Sequence, residues 1–443
     1  MNPQSLAEVE AALAVRWPES QLDPSLTRIS DLMTVLGDPQ GAIPVILVAG
    51  TNGKTSTARM IDSVLRGFGL RVGRYTSPHL ESVTERISLD GEPVPQERFV
   101  DAYVEIAPYL ELVDSRHPQP LSYFEVLTAM AYSIFADSPV DVAVVEVGMG
   151  GTWDATNVAH AQVAVVTPIA LDHQAYLGDT IEEIAGEKAG IIAADSVAVL
   201  AQQSLEAAEV LLRRVAEVGA TVAREGLEFG VISRTLAVGG QLLDLKGLGG
   251  DYDGVLLTLM GAHQAHNAAV ALAAVEAFLG GGAGRLDIDA VRSGFAAATS
   301  PGRLEVVRRG PTVLVDAAHN PDGARTLAAA LTEDYAFDRL VGVIGVLSDK
   351  DAAGLLEALE PVLSQVVVTR TSSPRALDPD ELGAIAVSIF GADRVQVVPG
   401  LADALAEAVA LAEEYGPLAQ SGVLVTGSVV TAGEARAMLI RGG

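Results

Sequence analysis

The chain contains no cysteine. Disulfides, thiolate metal sites and cysteine nucleophiles are therefore excluded, and any metal must be held by imidazole, carboxylate or hydroxyl groups, which favours hard cations. Lysine is scarce as well: only Lys54, Lys188, Lys246 and Lys350 occur, so most cationic work falls to arginine. With 29 basic against 57 acidic residues the formal charge is −28. Nucleic acid and anionic membrane both require a basic face, so neither is expected as a partner, and an anionic substrate must be held by cations placed locally. No apolar run approaches the roughly 20 residues that span a bilayer. The start "MNPQSLAEVEAALAVRWPES" also lacks the basic and apolar regions of a signal peptide. A cytoplasmic protein is expected. What the chain does have is apolar content, 49% of 443 residues, enough for two domains with separate cores.

From Val45 onward, short β-branched runs alternate with Ala/Leu-rich amphipathic stretches, the pattern of strands and crossover helices around a parallel sheet. The clearest strands are "VILVAG" (residues 45–50), "DVAVVEVG" (141–148) and "QVAVVTPI" (162–169). Each ends in chemically unusual residues. Ligands of open parallel sheets gather outside the carboxyl ends of strands, so these three ends suggest one shared site. A second alternation runs through "TVLVDAAHNP", "RLVGVIGVL", "QVVVTRT", "VQVVPG" and "GVLVTGS", and reads as a smaller, Rossmann-like α/β domain. Ser300-Pro301-Gly302 breaks regular structure between them, which places the domains at residues 1–299 and 300–443. Residues 227–251 read as hairpins and loops late in the first domain.

The sharpest local signal is "VAGTNGKTS" followed by the helical pattern "TARMIDSVLRGFG". Glycines let backbone N–H groups wrap phosphate oxygens; Lys54 supplies a cation, Thr55 a hydroxyl near Mg²⁺, and the helix start its positive dipole end. Val48 stands where the usual phosphate loop has Gly, and a plain Gly-rich turn is the competing reading. Glu146 closes an apolar strand beside "GMGGTWDATN", which suits a Mg²⁺ ligand or, more simply, a solvated strand end. His173 follows the next strand and reads either as a ligand or as a structural histidine. Lys188 in "GEKAGII" lies near the end of a helix, where a surface lysine is the ordinary reading. Ser77 and His79 in "RYTSPHLES" are equally compatible with a turn.

Taken together, "GTNGKTS", "TSPHL", "SYFEVLTAMA", "EVGMGG.WDATN", "LDH", "GEKAGI", "HQAHNAAVALAA", "PGRLEVV", "DAAHNPDGA" and "TGSVVTAGEAR" resemble the folylpolyglutamate synthase / dihydrofolate synthase family, within the ATP-dependent Mur-type ligases. The resemblance covers nearly the whole chain, and that family's own loop lacks the leading Gly. It implies that Ser77, Glu146 and His173 hold Mg²⁺, two ions being expected, and that Lys188 is the lysine carbamylated in this family. A carbamate turns a cation into an anion, a change arginine cannot mimic. It further implies nucleotide contacts from Asn52, Gly53, Lys54, Thr55, Ser56, Asn267, Arg303 and Asp316, with Lys54, Lys188 and His319 in catalytic roles. Ser122, Tyr123, Phe124, Glu125, Trp153, Asp154 and Ala155 match the pterin pocket, where an aromatic face can stack on a flat ring. One departure is Thr152, where many relatives carry Arg.

The implied reaction joins L-glutamate to dihydropteroate or to a folate polyglutamate. ATP activates the carboxylate as an acyl phosphate, which glutamate's amine then attacks. Only small-molecule partners and a monomeric chain are expected. A peptidoglycan-precursor (UDP-muramyl) ligase shares this chemistry but carries a UDP-binding domain ahead of the loop, and Gly50 arrives too early for one, since a folded domain usually needs more than about 50 residues. A nucleotide-dependent switch is the rival from another class; it leaves "SYFE", Lys188 and the second domain without a role.

Overall fold

The chain's purely apolar runs must be buried on both faces, and they become the inner strands of parallel sheets. The structure, a computed structural model, describes residues 3–17, 23–414 and 420–441. The first sheet contains β1 (Val45–Ala49), β2 (Val72–Tyr75), β3 (Ile87–Leu89), β4 (Glu92–Pro93), β5 (Val142–Glu146), β6 (Ala161–Val166), β7 (Val197–Leu200) and β8 (Thr221–Arg224). Their order is β4-β3-β2-β5-β1-β6-β7-β8. From β2 to β8 the neighbours are parallel, whereas β3 and β4 add an antiparallel edge. All five residues of β1 are buried, as its central place demands. Val48 lies opposite Glu146 on one side and Val165 on the other, so the three expected strands leave the sheet at one level.

A three-stranded antiparallel sheet follows, built from β9 (Gly230–Ala237), β10 (Gly240–Lys246) and β11 (Asp251–Leu257), where the sequence reads as hairpins. The third sheet holds β12 (Glu305–Arg309), β13 (Thr312–Val315), β14 (Arg339–Ile344), β15 (Gln365–Arg370), β16 (Val395–Gly400) and β17 (Ser421–Thr426), ordered β12-β13-β17-β14-β15-β16. It is parallel apart from β12, which pairs antiparallel with β13. The chain divides into two compact units, Met1–Thr258 with Gln264–Thr299, and Leu259–His263 with Ser300–Gly443. The short excursion Leu259–His263 is tied into the second unit by Gly261 N–H, which donates to Asp334 at 2.7 Å.

Two elements of the first unit lie outside the alternation read from Val45 onward. Helices Leu6–Ala14 and Thr27–Val35 each span nine residues, too short to stand alone in water, and they form by burying Val9, Leu13, Ile29, Leu32 and Met33 in the first core. The helix Lys54–Gly67 that follows β1 is set from the other side by the helix Ile288–Ala296. The two backbones touch: Ser63 donates to the Gly294 carbonyl at 2.7 Å, and a Cβ on Gly294 would lie 2.5 Å from Val64 Cα. No helix is long and apolar enough to cross a membrane among the described residues.

Because that approach admits no side chain, Gly294→Ala is expected to push the helix after β1 away from its neighbour. The cost should be about 1–3 kcal/mol, the usual penalty for overpacking. Chemical denaturation of the two proteins measures it; an unchanged midpoint would show that the helices can separate freely.

Candidate active site

β1 delivers the chain to Gly50, and the loop that follows is pinned against the exit of β6. Thr51 N–H donates to Pro168 O at 3.0 Å, while the Thr51 hydroxyl donates to Ala170 O and accepts from Ala170 N–H, both at 3.1 Å. Gly53 has φ of +86°, and a Cβ there would lie 2.7 Å from Asn267 Oδ1, so only glycine fits. The next residue, Lys54, opens the helix, whose first N–H groups have no partner within it and so point at whatever anion sits before them. Lys54 Nζ curls back to the carbonyls of Gly50 and Thr51, at 3.2 and 3.1 Å. Ser56 accepts from Gln264 at 3.3 Å, and Asn267 donates to Gln264 at 3.1 Å. Asn267 thus lies against the loop at Gly53. Gln264 was not singled out from sequence, although it lies within "HQAHNAAVALAA", three residues before Asn267 on the same helix face.

Glu146 is the buried end of β5. Thr55 donates its hydroxyl to Glu146 Oε1 at 2.9 Å, and Ser77 N–H donates to Oε2 at 3.3 Å. Thr55, Ser77 and Glu146 therefore meet at the loop, and their oxygens are the donors a hard cation takes. His173 leaves β6 in the left-handed region, with its N–H on Asp172 Oδ1 at 2.8 Å and its Nε2 3.8 Å from Asp172 Oδ2. Among the described residues no three His, Cys, Asp or Glu side chains cluster closely enough to hold a metal, so a cation here would draw on hydroxyl and ligand oxygens.

Lys188 is not a surface lysine. It is 4% exposed near the end of the helix Ile181–Ala189, and its Nζ donates to the Gly50 carbonyl at 2.8 Å, the same oxygen that Lys54 uses. Burial, aided by the like charge of Lys54, pushes Lys188 down to about 7, against the opposing pull of Asp172 and Asp154. Near neutral pH its amine is thus partly unprotonated, which an ordinary lysine is not.

The aromatic segment has two kinds of residue. Ser122 and Glu125 form a capping box on the helix Tyr123–Asp137: Ser122 Oγ accepts from Glu125 N–H at 3.1 Å and Glu125 accepts from Ser122 N–H at 2.7 Å. Arg28 also pairs with Glu125 at 3.2 Å, so this carboxylate is committed to structure. Tyr123 lies under the Arg86 guanidinium, 5.2 Å from its ring centre, and Arg86 Nε donates to His79 Nδ1 at 3.0 Å. Phe124 packs on Tyr75 with ring centres 5.8 Å apart and fills the space a side chain at Gly148 would need. Trp153 is half-buried, whereas Asp154 and Ala155 are buried. Asp154 accepts from Met149 N–H at 2.8 Å and from the Thr156 N–H and hydroxyl at 3.0 and 2.5 Å. Burial raises its pKa, and these bonds oppose the rise. Asp154 therefore closes the loop after β5. The exposed Thr152 donates from both N–H and hydroxyl to the Glu187 carbonyl, at 2.9 and 3.1 Å, and so ties this loop to the Lys188 helix.

In the second unit, Asp316 accepts from Leu304 N–H at 2.9 Å and Ala318 N–H at 2.8 Å. Arg303 Nη1 donates to Gly302 O at 3.1 Å. His319 Nδ1 lies 3.0 Å from the Ala317 carbonyl, which can only accept, so Nδ1 carries the proton. These residues sit together at the carboxyl end of β13. A pocket of about 520 Å³, lined by Tyr335, Phe337 and Arg394 among others, lies at the opposite edge, where β14 and β15 begin.

Known proteins are similar to this chain in sequence and fold. Residues 48–275 match the Mur ligase middle domain and residues 302–429 the Mur ligase glutamate ligase domain. A Mycobacterium tuberculosis dihydrofolate synthase/folylpolyglutamate synthase is 54% identical, over 99% of this chain and 94% of the relative. The Escherichia coli protein of the same name is 35% identical, over 82% of this chain and 81% of its own. The Mycobacterium tuberculosis folylpolyglutamate synthase complexed with ADP superposes with a TM-score of 0.94, covering 98% of each chain. An Escherichia coli FolC structure in complex with DHPP and ADP is 31% identical with a TM-score of 0.85, covering 99% of this chain and 98% of its own.

Gly53→Ala combines a positive φ with a clash against Asn267, so it should open the loop and weaken nucleoside triphosphate binding at least about tenfold while the protein still folds, the strain being about 1–3 kcal/mol. Titration with a fluorescent ATP analogue checks it, and wild-type affinity in the variant would refute the geometry.

Proposed function

The chain belongs to the dihydrofolate synthase/folylpolyglutamate synthase family of the Mur ligase superfamily, and on that premise we propose the residue roles by which it joins L-glutamate to dihydropteroate and to folate polyglutamates. It is an ATP-dependent ligase. The observation that carries the assignment of roles is the Glu146 carboxylate held between the Thr55 hydroxyl and the Ser77 amide at the mouth of the phosphate loop.

Asn52, Gly53, Lys54, Thr55 and Ser56, with Asn267, hold the nucleotide; the loop amides and Lys54 bind its phosphates. Mg²⁺ would be held by Thr55, Ser77, Glu146 and His173, and when bound it neutralises phosphate charge. A substrate carboxylate oxygen attacks the γ-phosphorus, the bond to the bridging oxygen breaks, and ADP leaves. Glutamate's amine then attacks the acyl phosphate carbonyl; the C–N bond forms, inorganic phosphate departs, and the amine loses its proton. The chain's part is positioning, charge neutralisation and exclusion of water, with no nucleophilic side chain needed. Tyr123, Phe124, Trp153 and Ala155 line the pterin pocket, which Ser122, Glu125 and Asp154 shape from behind. Arg303, Asp316 and His319 carry nucleotide and catalytic roles by resemblance alone. The division at residue 299 separates the ATP-binding part from the ligase part, and we read the protein as a cytoplasmic monomer.

Lys188 is the residue we assign to carbamylation. Its partly unprotonated amine can attack carbon dioxide, forming an N–C bond and releasing one proton. The expected result is a mass increase of one carbon dioxide at Lys188, with Lys188→Arg inactive; a fully active Arg variant would remove the modification from the mechanism. The reaction itself is tested by product mass after incubating the chain with ATP, glutamate and either dihydropteroate or a reduced folate. Both should be glutamylated, and Glu146→Gln should abolish both products without changing the fold. Retained turnover in Glu146→Gln at saturating Mg²⁺ would overturn the metal assignment.

A further inference from the structure

The helix Lys54–Gly67 carries Thr55, Arg59, Asp62 and Arg66 at spacings of four, three and four, which puts them on one face. Three of them are matched. Thr55 is bonded to Glu146, and the fully buried Asp62 pairs with Arg74 of β2 and, at 3.0 Å, with Arg66. Arg59 stands between Thr55 and Asp62, half-buried, and makes no hydrogen bond or ion pair among the described residues. The charged groups around it are Arg74, Glu85, Asp62 and Glu146. All are engaged elsewhere: Glu85 accepts from the amides of Leu80, Glu81 and Ser82 at 2.9, 3.1 and 2.9 Å, and Arg74 also donates to Ser88 at 2.9 Å. Burial and the like charge of Arg74 lower Arg59 to about 10, so it remains a cation at neutral pH.

A half-buried guanidinium without a partner is costly, and docking an anion relieves that cost. Side chains lean toward the start of their helix, which aims Arg59 at the turn bearing Thr55, whose hydroxyl is on Glu146. The phosphates already have the loop amides and Lys54, whose Nζ lies on the Gly50 and Thr51 carbonyls. What the ligase reaction still requires near Glu146 is the second anion, the carboxylate to be activated. In a chain of charge −28, that carboxylate needs a local cation, and the guanidinium fork matches two carboxylate oxygens.

We propose that Arg59 binds the substrate carboxylate that attacks ATP, holding it beside Thr55, Ser77 and Glu146. This rests on the ligase reading above. The experiment uses the full chain with Arg59→Gln and Arg59→Lys, measuring KM for dihydropteroate, ATP and glutamate, kcat, and the thermal midpoint without substrate. Arg59→Gln should raise KM for dihydropteroate about tenfold to a hundredfold, as loss of a charge-assisted hydrogen bond does. KM for ATP should stay within about twofold, Arg59→Lys should recover part of the loss, and the thermal midpoint should hold or rise, since no protein partner is lost. A raised KM for ATP alone would make the anion a phosphate and overturn the proposal. A lowered midpoint with unchanged KM values would make Arg59 structural and overturn it too. Should the wild-type chain form no glutamyl product, the ligase reading fails. Direct titration with dihydropteroate and its carboxamide then still decides on Arg59: the wild type should prefer the carboxylate and Arg59→Gln should not, and equal discrimination by both proteins would sink the assignment.

Discussion

The site depends on the register of β1 with its two parallel neighbours. Val48 is level with both Glu146 and Val165, so the phosphate loop, the Glu146 carboxylate and the chain leading to His173 emerge side by side. A slip of one residue on β5 would turn Glu146 to the other face of the sheet. That register also makes the burial of a carboxylate tolerable. Glu146 is 1% exposed, and an unpartnered charge there would be prohibitive; the Thr55 hydroxyl and the Ser77 amide each occupy one oxygen. The polar contacts that satisfy Glu146 are therefore the same contacts that draw the helix after β1 and the loop after β2 into one place.

A second constraint is the crowding of cations. Lys54 and Lys188 donate to one carbonyl, that of Gly50, and the repulsion between them is part of what brings Lys188 down to about 7. Half of the chain's lysines are thus concentrated where a polyphosphate would neutralise them, while the rest of the protein is acidic. Steering by overall charge would repel such a ligand. Affinity must come from this short-range arrangement, which is why the loop is pinned so firmly to the exit of β6 through Thr51.

The sequence makes the inner strands and the loop legible, because a doubly buried strand is a continuous apolar run and a phosphate loop is written in consecutive residues. The edges are harder to read. The antiparallel β3, β4 and β12 are short and mixed in character, and they exist through pairing with strands that only the fold supplies. The same limit applies to side-chain roles. "SYFE" contains a capping box, Asp154 closes its own loop, and Asp316 binds the amides of Leu304 and Ala318. A motif read for chemistry can hold a carboxylate that is engaged by nearby backbone amides. Arg59 shows the converse: within an ordinary helical pattern nothing marks it, and only the engagement of every neighbour reveals it as unmatched.

The spent carboxylates change how the departure at Thr152 should be understood. An arginine there would add a cation next to the helix that carries Glu187, whose Oε2 is buried without a hydrogen-bond partner among the described residues, while Asp154 and Glu125 are committed to structure. Thr152 is exposed, so the lost charge is one that water screens. Its N–H bond to the Glu187 carbonyl is made by the backbone and does not depend on the side chain, while the hydroxyl adds a second bond to the same oxygen. The loop that carries Trp153 and Ala155 thus remains fastened to the helix that carries Lys188.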